Sequence, residues 1–287
     1  MSDFGPLVET QWLAERLGSK DIKIIDGSWR MPGASPARDD YKDRHIDGAV
    51  FFDIDQISDQ SSSLPHTAPE PAFFAEAVGA LGISPHDTVI IYDDQGCFSG
   101  ARVWWTFRLM GHEKIAVLDG GLPKWIDEGR AVTKSHSTAI VADHKTSHDP
   151  RHVCDAAGIR QGLQTNDTLI LDARPAQRFL GAAPEPRAGL RSGAMPGAVN
   201  LPFGDLFNQD KTFLDPSALA TRLARAGVTP EKEIITTCGS GITAAILSLA
   251  LEIIGHPRHK LYDGSWAEWG SIDNAEKEFP VIANTKK

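Results

Sequence analysis

Apolar residues along this chain gather in short runs that recur in the same order in its two halves. Ile22-Lys23-Ile24-Ile25-Asp26-Gly27 is matched by Thr168-Leu169-Ile170-Leu171-Asp172-Ala173, each an apolar stretch that stops at an aspartate. His45-Ile46-Asp47-Gly48-Ala49-Val50 is matched by Ala194-Met195-Pro196-Gly197-Ala198-Val199, each with a glycine turning into a second apolar run. Thr88-Val89-Ile90-Ile91-Tyr92-Asp93 is matched by Glu233-Ile234-Ile235-Thr236-Thr237-Cys238. Short runs rich in Val, Ile and Thr, bounded by Gly or Asp, read as buried parallel strands. Helical stretches follow the third run of each half, Val103 to Met110 and Ala244 to Ile254. Both close on Gly-His, at Gly111-His112 and Gly255-His256, where a glycine can end the helix.

The two halves hold register. Val117-Leu118-Asp119-Gly120-Gly121 is matched by Leu261-Tyr262-Asp263-Gly264-Ser265, and both Asp119 to Asp263 and Trp125 to Trp269 span 144 residues. Alternating strands and helices predict an α/β fold of two tandem domains, each a parallel sheet flanked by helices. The expected boundaries are 8–132 and 153–280, with a mostly polar linker over 133–152. Domains of roughly 130 residues are of ordinary size.

Composition narrows the function. The 287 residues are 41% apolar and 23% charged, with a net charge of −9 and no run of Lys or Arg. A duplex nucleic-acid partner, which needs a basic face, is not expected. Met1-Ser2-Asp3-Phe4-Gly5-Pro6 has no basic segment leading into an apolar one, so no signal peptide is expected. No run of about 18 apolar residues predicts a membrane span. Cys97, Cys154 and Cys238 are odd in number and far apart. Neither a disulfide framework nor a structural metal is expected from them, and free thiols fit a reducing cytoplasm.

The candidate chemistry is at Cys238. A strand that ends in Cys and runs through Gly239-Ser240-Gly241-Ile242-Thr243 into a helix turns several backbone N–H groups toward one point. The helix aims its positive end there too. Such a thiol is a candidate nucleophile, and Gly239, Gly241, Ile242 and Thr243 would cradle an anion carried on its sulfur. The mate of Cys238 in the first half is the charged Asp93, which a packing role for Cys238 would not explain.

The loop Cys238-Gly239-Ser240-Gly241-Ile242-Thr243-Ala244 resembles the active-site loop of the rhodanese superfamily, in its 3-mercaptopyruvate sulfurtransferase branch. The likeness runs from about Thr10 to Glu278. It is carried further by His45-Ile46-Asp47-Gly48-Ala49-Val50-Phe51-Phe52-Asp53, Arg102-Val103-Trp104-Trp105, Leu118-Asp119-Gly120-Gly121-Leu122, Pro184-Glu185-Pro186-Arg187 and Tyr262-Asp263-Gly264-Ser265-Trp266-Ala267-Glu268-Trp269. In that family the first domain has lost its cysteine and the second is active. Phosphatases that share the fold end this loop in an Arg, where Thr243 stands here.

The resemblance implies transfer of sulfane sulfur from 3-mercaptopyruvate to a thiophilic acceptor through a Cys238 persulfide, with release of pyruvate and no metal or organic cofactor. Acceptors of the right chemistry are cyanide, a small thiol or thioredoxin. Arg178 and Arg187 match the family's substrate arginines, and an arginine fork suits a carboxylate beside a keto group. Thiosulfate-type members carry basic residues after the cysteine, where this chain has Gly239 and Ser240. Ser240 is a candidate proton relay together with His45. The alternatives are a thiosulfate sulfurtransferase and a non-catalytic sulfur carrier or regulatory domain.

Overall fold

The computed structural model describes residues 4–31, 33–135 and 139–283. Met1 to Asp3, and residues 136–138 of the expected linker, lie outside the described residues. The chain divides into two compact units. The first comprises Met1–Ser61, Ala68–Asp149 and Phe207–Phe213; the second comprises Ser62–Thr67, Pro150–Leu206 and Leu214–Lys287. Each unit therefore includes a short segment drawn from the other half of the sequence.

In the first unit the order is β1 (Leu7–Val8), α1 (Thr10–Ala14), β2 (Ile22–Asp26), α2 (Ala37–Asp43), β3 (Ala49–Phe51), α3 (Pro71–Ala80), β4 (Thr88–Tyr92), α4 (Gly100–Leu109), β5 (Ile115–Leu118) and α5 (Gly121–Asp127). In the second it is β6 (Val153–Cys154), α6 (Ala156–Gly162), β7 (Thr168–Asp172), α7 (Ala176–Phe179), β8 (Val199–Asn200), α8 (Pro216–Arg225), β9 (Glu233–Thr237), α9 (Ala244–Ile253), β10 (His259–Tyr262) and α10 (Ser265–Trp269). The sheets have the same order, β1-β5-β4-β2-β3 and β6-β10-β9-β7-β8, and every strand pairing is parallel. The repeat read from the sequence is thus a repeat of topology. The apolar runs supply the central strands, while the two-residue edge strands β1 and β6 are too short to show a pattern.

The two cores are built alike. Trp125 and Trp269 are almost fully buried, one in each core cluster. Each indole N–H still finds a carbonyl, that of Ala131 at 2.8 Å and that of Pro280 at 2.9 Å. A buried Trp keeps its large apolar contact only if this donor is satisfied. In α9 every residue from Ala244 to Leu251 is buried, and the one polar residue of that stretch, Ser248, meets Thr236 at 2.8 Å. Asp215 caps α8 by accepting from the Ser217 and Ala218 N–H groups, with Pro216 in its first turn.

Of the expected linker, residues 139–149 are hydrogen-bonded along the first unit. Ala142 N–H donates to Gly79 O, Ser147 N–H to Met110 O and Asp149 N–H to Leu109 O, at 2.8–2.9 Å. His144 stacks on His112 with ring centroids 5.7 Å apart. The segment 207–213 closes an antiparallel bridge from Phe207 to Phe213, and Phe213 N–H donates to the Asp119 carboxylate at 2.9 Å.

The loop after β4 shows what became of the nucleophile position in the first unit. Asp93 is fully buried, and its carboxylate accepts from the N–H groups of Gln95, Ser99 and Gly100 at 2.8–2.9 Å. The cradle at the start of α4 is occupied by a carboxylate of the chain itself. Burial raises the Asp93 pKa, and the three N–H donors act against that rise. Asp93→Ala should leave those donors buried without a partner and destabilise the protein by roughly 3 kcal/mol or more. Asp93→Asn, which keeps one acceptor oxygen, should lose less. Chemical denaturation of both variants checks the order; a wild-type midpoint for Asp93→Ala would show that the cradle needs no occupant.

Candidate active site

Strand register places the nucleophile. Asp172 pairs with Thr237 and Leu261 with Thr236, so β7, β9 and β10 end side by side. Cys238 leaves the sheet at their carboxyl ends, where α/β sheets bind ligands. It is 2% exposed, and Ser240 and Ile242 are also buried. Gly241 has φ +82°, a conformation that a side chain would oppose, whereas Gly239 is not among the positive-φ glycines.

The loop is locked through its carbonyls. The first N–H groups of α10 point at it: Trp266 N–H donates to Cys238 O at 2.9 Å and Ala267 N–H to Gly239 O at 2.8 Å. Ser265 bridges the other side, accepting from Cys238 N–H at 3.3 Å and donating to Tyr262 O at 2.9 Å. It does so at φ +48°, a strained conformation for a residue with a side chain. The matching residue in the first unit is Gly121, with φ +56°, where an added Cβ would lie 2.5 Å from Asp93 O. At this matched position the second unit accepts a residue with a side chain, and the hydroxyl it brings holds the cysteine.

Both predicted substrate arginines belong to the unit that holds Cys238. Arg178 lies on α7 with its side chain 22% exposed. A Cβ added to Gly239 would be 3.0 Å from Arg178 Nη2, so the guanidinium lies over the residue next to the nucleophile. Arg178 Nε and Nη2 donate to one oxygen of Glu185, the Nε bond being 3.0 Å. The other Glu185 oxygen accepts from Arg174 Nη1 at 2.7 Å. Arg174 in turn grips Asp172 through Nε and Nη2 at 2.7–3.1 Å. Burial acts to lower the Arg174 pKa, but Asp172 and Glu185 more than offset it and hold it above the usual value. Its guanidinium lies 4.0 Å from the ring centre of Trp266, the residue that donates to Cys238 O. Arg187 Nη2 donates to His66 Nε2 at 3.1 Å. Since arginine can only donate, that ring nitrogen is unprotonated.

The two histidines separate clearly. His45, read from the sequence as a relay, belongs to the first unit and is fully buried. Its ring nitrogens face the carbonyls of Tyr41 at 2.7 Å and Ser135 at 3.1 Å. Its ring also stacks on Tyr41 at 4.3 Å. His66, not singled out from the sequence, is the histidine that the structure brings to a predicted substrate arginine. Pro65 before it gives it the look of an ordinary turn residue in the sequence, while in the fold its φ of +64° is one that few residues with a side chain adopt. Asp172, Arg174 and Glu185 were likewise not recognised as parts of the site.

The family profile of the rhodanese-like domain matches residues 9–128 and 155–272. The chain belongs to the rhodanese family. The human 3-mercaptopyruvate sulfurtransferase is 38% identical over 270 residues, 92% of this chain and 91% of the relative. The bovine thiosulfate sulfurtransferase is also 38% identical over 270 residues, with the same shares covered. The crystal structure of SseA from Escherichia coli, described as that of a 3-mercaptopyruvate sulfotransferase, superposes with a TM-score of 0.84 at 36% identity. It covers 92% of this chain and 100% of its own.

Within this rhodanese fold the other two thiols are protected. Burial first, then the charges of Asp93 and Asp119, pushes the Cys97 thiol well up. Burial and Asp155 push Cys154 up to about 12. At pH 8 neither forms appreciable thiolate in the folded protein. After incubation with mercaptopyruvate, intact-protein mass should rise by about one sulfur, about 32 Da, and peptide mapping should place it on Cys238. Cys97→Ser and Cys154→Ser should keep that mass shift and Cys238→Ser should lose it. A persulfide on Cys97 or Cys154 would refute the assignment.

Proposed function

We propose that this protein transfers sulfane sulfur from 3-mercaptopyruvate to a thiophilic acceptor through a persulfide on Cys238. The observation that carries the reading is the placement of Arg178 over Gly239, with only neutral side chains in the cysteine loop. A donor bound there has its carboxylate at the arginines and its sulfur at Cys238. The names of the similar human and bacterial proteins support the same donor, while the bovine relative keeps thiosulfate as the rival. Thiosulfate is a compact dianion, and a floor of Gly239 and Ser240 offers it dipoles and a hydroxyl but no cation.

The reaction runs in two steps. The Cys238 thiolate attacks the donor sulfur, forming the S–S bond. The carbon–sulfur bond breaks and its electron pair passes to carbon, giving the enolate of pyruvate. Arg178 and Arg187 hold the carboxylate and the keto oxygen, where the enolate charge collects. One proton then converts the enolate to pyruvate, and the Ser240 hydroxyl is placed in the loop to assist. The terminal sulfur rests on the N–H groups of Gly239, Gly241, Ile242 and Thr243, as the Asp93 carboxylate rests on those of the first unit. An acceptor nucleophile attacks that sulfur and returns the Cys238 thiolate. Cyanide, a small thiol and the thiolate of a reduced thioredoxin all have the required chemistry.

His45 has a bracing role in this reading, since its ring is engaged by two carbonyls. His66, through Arg187, belongs to the donor side. Three unpaired thiols suit a reducing compartment such as the cytoplasm. Among the described residues no helix is long and apolar enough to cross a membrane.

Two variants test the donor. Arg187→Lys keeps the charge but loses the fork, and kcat/KM for mercaptopyruvate should fall by an amount equivalent to roughly 2–4 kcal/mol. Ser240→Lys places a cation in the loop floor and should raise the thiosulfate rate relative to the mercaptopyruvate rate. Steady-state rates on both donors at two ionic strengths decide it. An unchanged donor ratio in folded Ser240→Lys would mean that loop charge does not set the choice.

A further inference from the structure

A line of four charged side chains passes from beneath the cysteine loop to its open face. Asp172 and Arg174 are buried at the end of β7, each side chain 1% exposed, and Glu185 is buried to the same degree. Arg178, at 22%, is the one member that reaches solvent. Both ends meet the nucleophile's loop. Arg174 lies against Trp266, whose N–H holds Cys238 O, and Arg178 Nη2 lies over Gly239. Glu185 is the hinge of the line, with one oxygen on each arginine.

We infer that Glu185 is the positioning residue of the donor site. It acts through Arg178, and the inference rests on the donor chemistry proposed above. A partly exposed arginine on a four-residue helix has many rotamers. Glu185 selects one by taking Nε and one Nη2 hydrogen on a single oxygen. Nη1 makes no hydrogen bond among the described residues, so the free edge of the fork remains for a ligand carboxylate. The buried Arg174 holds the Glu185 carboxylate still, so orientation passes from the sheet end to the donor without a mobile link.

Glu185 also sets the charge that the donor meets. Asp172, Arg174, Glu185 and Arg178 sum to zero, so the donor meets the Arg178 fork within a neutral set. That balance suits a mono-anion. Glu185→Gln keeps the shape but frees one more positive charge and loosens Arg178, which favours a dianion of less exacting geometry.

The test is a double-mutant cycle on the full chain, with Glu185→Gln, Arg178→Ala and both together, assayed on mercaptopyruvate at saturating acceptor. Glu185→Gln should raise the donor KM at least tenfold with kcat changed less than threefold. The double variant should be no worse than Arg178→Ala alone, because one residue acts through the other. The ratio of thiosulfate to mercaptopyruvate turnover should rise. An unchanged donor KM, or effects that multiply independently, would overturn the inference. A structural role would instead lower the persulfide-competent fraction and scale kcat at constant KM. If Glu185→Gln does not fold, Glu185→Asp keeps the charge on Arg174 but draws back from Arg178, and it should still raise KM; a wild-type KM there overturns the idea as well. Should the unsubstituted protein turn over thiosulfate and not mercaptopyruvate, the proposed donor is wrong. The same cycle on thiosulfate then decides Glu185 by coupling alone.

Discussion

The site depends on one exchange of backbone hydrogen bonds. A tight loop that turns its N–H groups inward must turn its carbonyls outward, and buried carbonyls without partners are costly. Here the free N–H groups at the start of α10 meet those of Cys238 and Gly239. One helix end supplies donors to the back of the loop, so the N–H groups on its front are left for sulfur. The strained Ser265 adds a third tie from the strand end at Tyr262 to Cys238 N–H. Three hydrogen bonds from one turn, at 2.8, 2.9 and 3.3 Å, fix the nucleophile's backbone before any substrate arrives, which is the preorganisation that charge development in the reaction needs.

The first unit serves as an internal control for that argument. It has the same sheet order and the same tie from the turn after the fifth strand, Leu122 N–H to Asp93 O at 2.9 Å. What differs is the occupant of the front face. Asp93 fills it with its own carboxylate, and Gly121 replaces the strained serine. The first unit's loop has its own strained residue, Cys97 at φ +68°, and its own arginine, Arg30, whose Nη1 donates to Asp94 at 2.7 Å, but there the carboxylate of Asp93 takes the N–H groups. The comparison separates what the fold requires, the carbonyl tie, from what the chemistry adds: a thiol, a strained hydroxyl and a line of charges.

Much of this was legible in the sequence because it is local. Runs such as Thr88 to Tyr92 and Glu233 to Thr237 declare themselves as strands, and the constant spacing of Trp125 and Trp269 declares the duplication. Cys238 was legible because strand end, glycines and helix start are contiguous. Arg178 and Arg187 stand out in the sequence through family resemblance alone, since nothing in Gln177-Arg178-Phe179 distinguishes a binding arginine from a solvated one. Other parts were hidden because their meaning lies in long-range pairs. Glu185 bridges Arg174 and Arg178 across a loop, and His66 meets Arg187 over 121 residues of chain. The exchange of segments 62–67 and 207–213 leaves no mark in a hydrophobic pattern, because both are short and largely polar. His45 is a relay candidate on its motif, and its burial between two carbonyls is visible only in the folded chain.

The charge line also explains why the loop can be neutral. A cation beside Cys238 would hold any small anion, but it would pull charge toward the sulfur that must leave its carbon. Arg178 instead lies over Gly239, where an added Cβ would come within 3.0 Å of its Nη2. The stiffness comes from Arg174, buried on Trp266 and tied to Asp172 and Glu185. Truncating one partner of such a buried set leaves charge uncompensated, while the intact set is neutral and adds little net stability. Its value is geometric. The buried end lies against Trp266, whose N–H holds the nucleophile's carbonyl, so in the proposed reaction the Arg178 fork and the Cys238 sulfur share one frame.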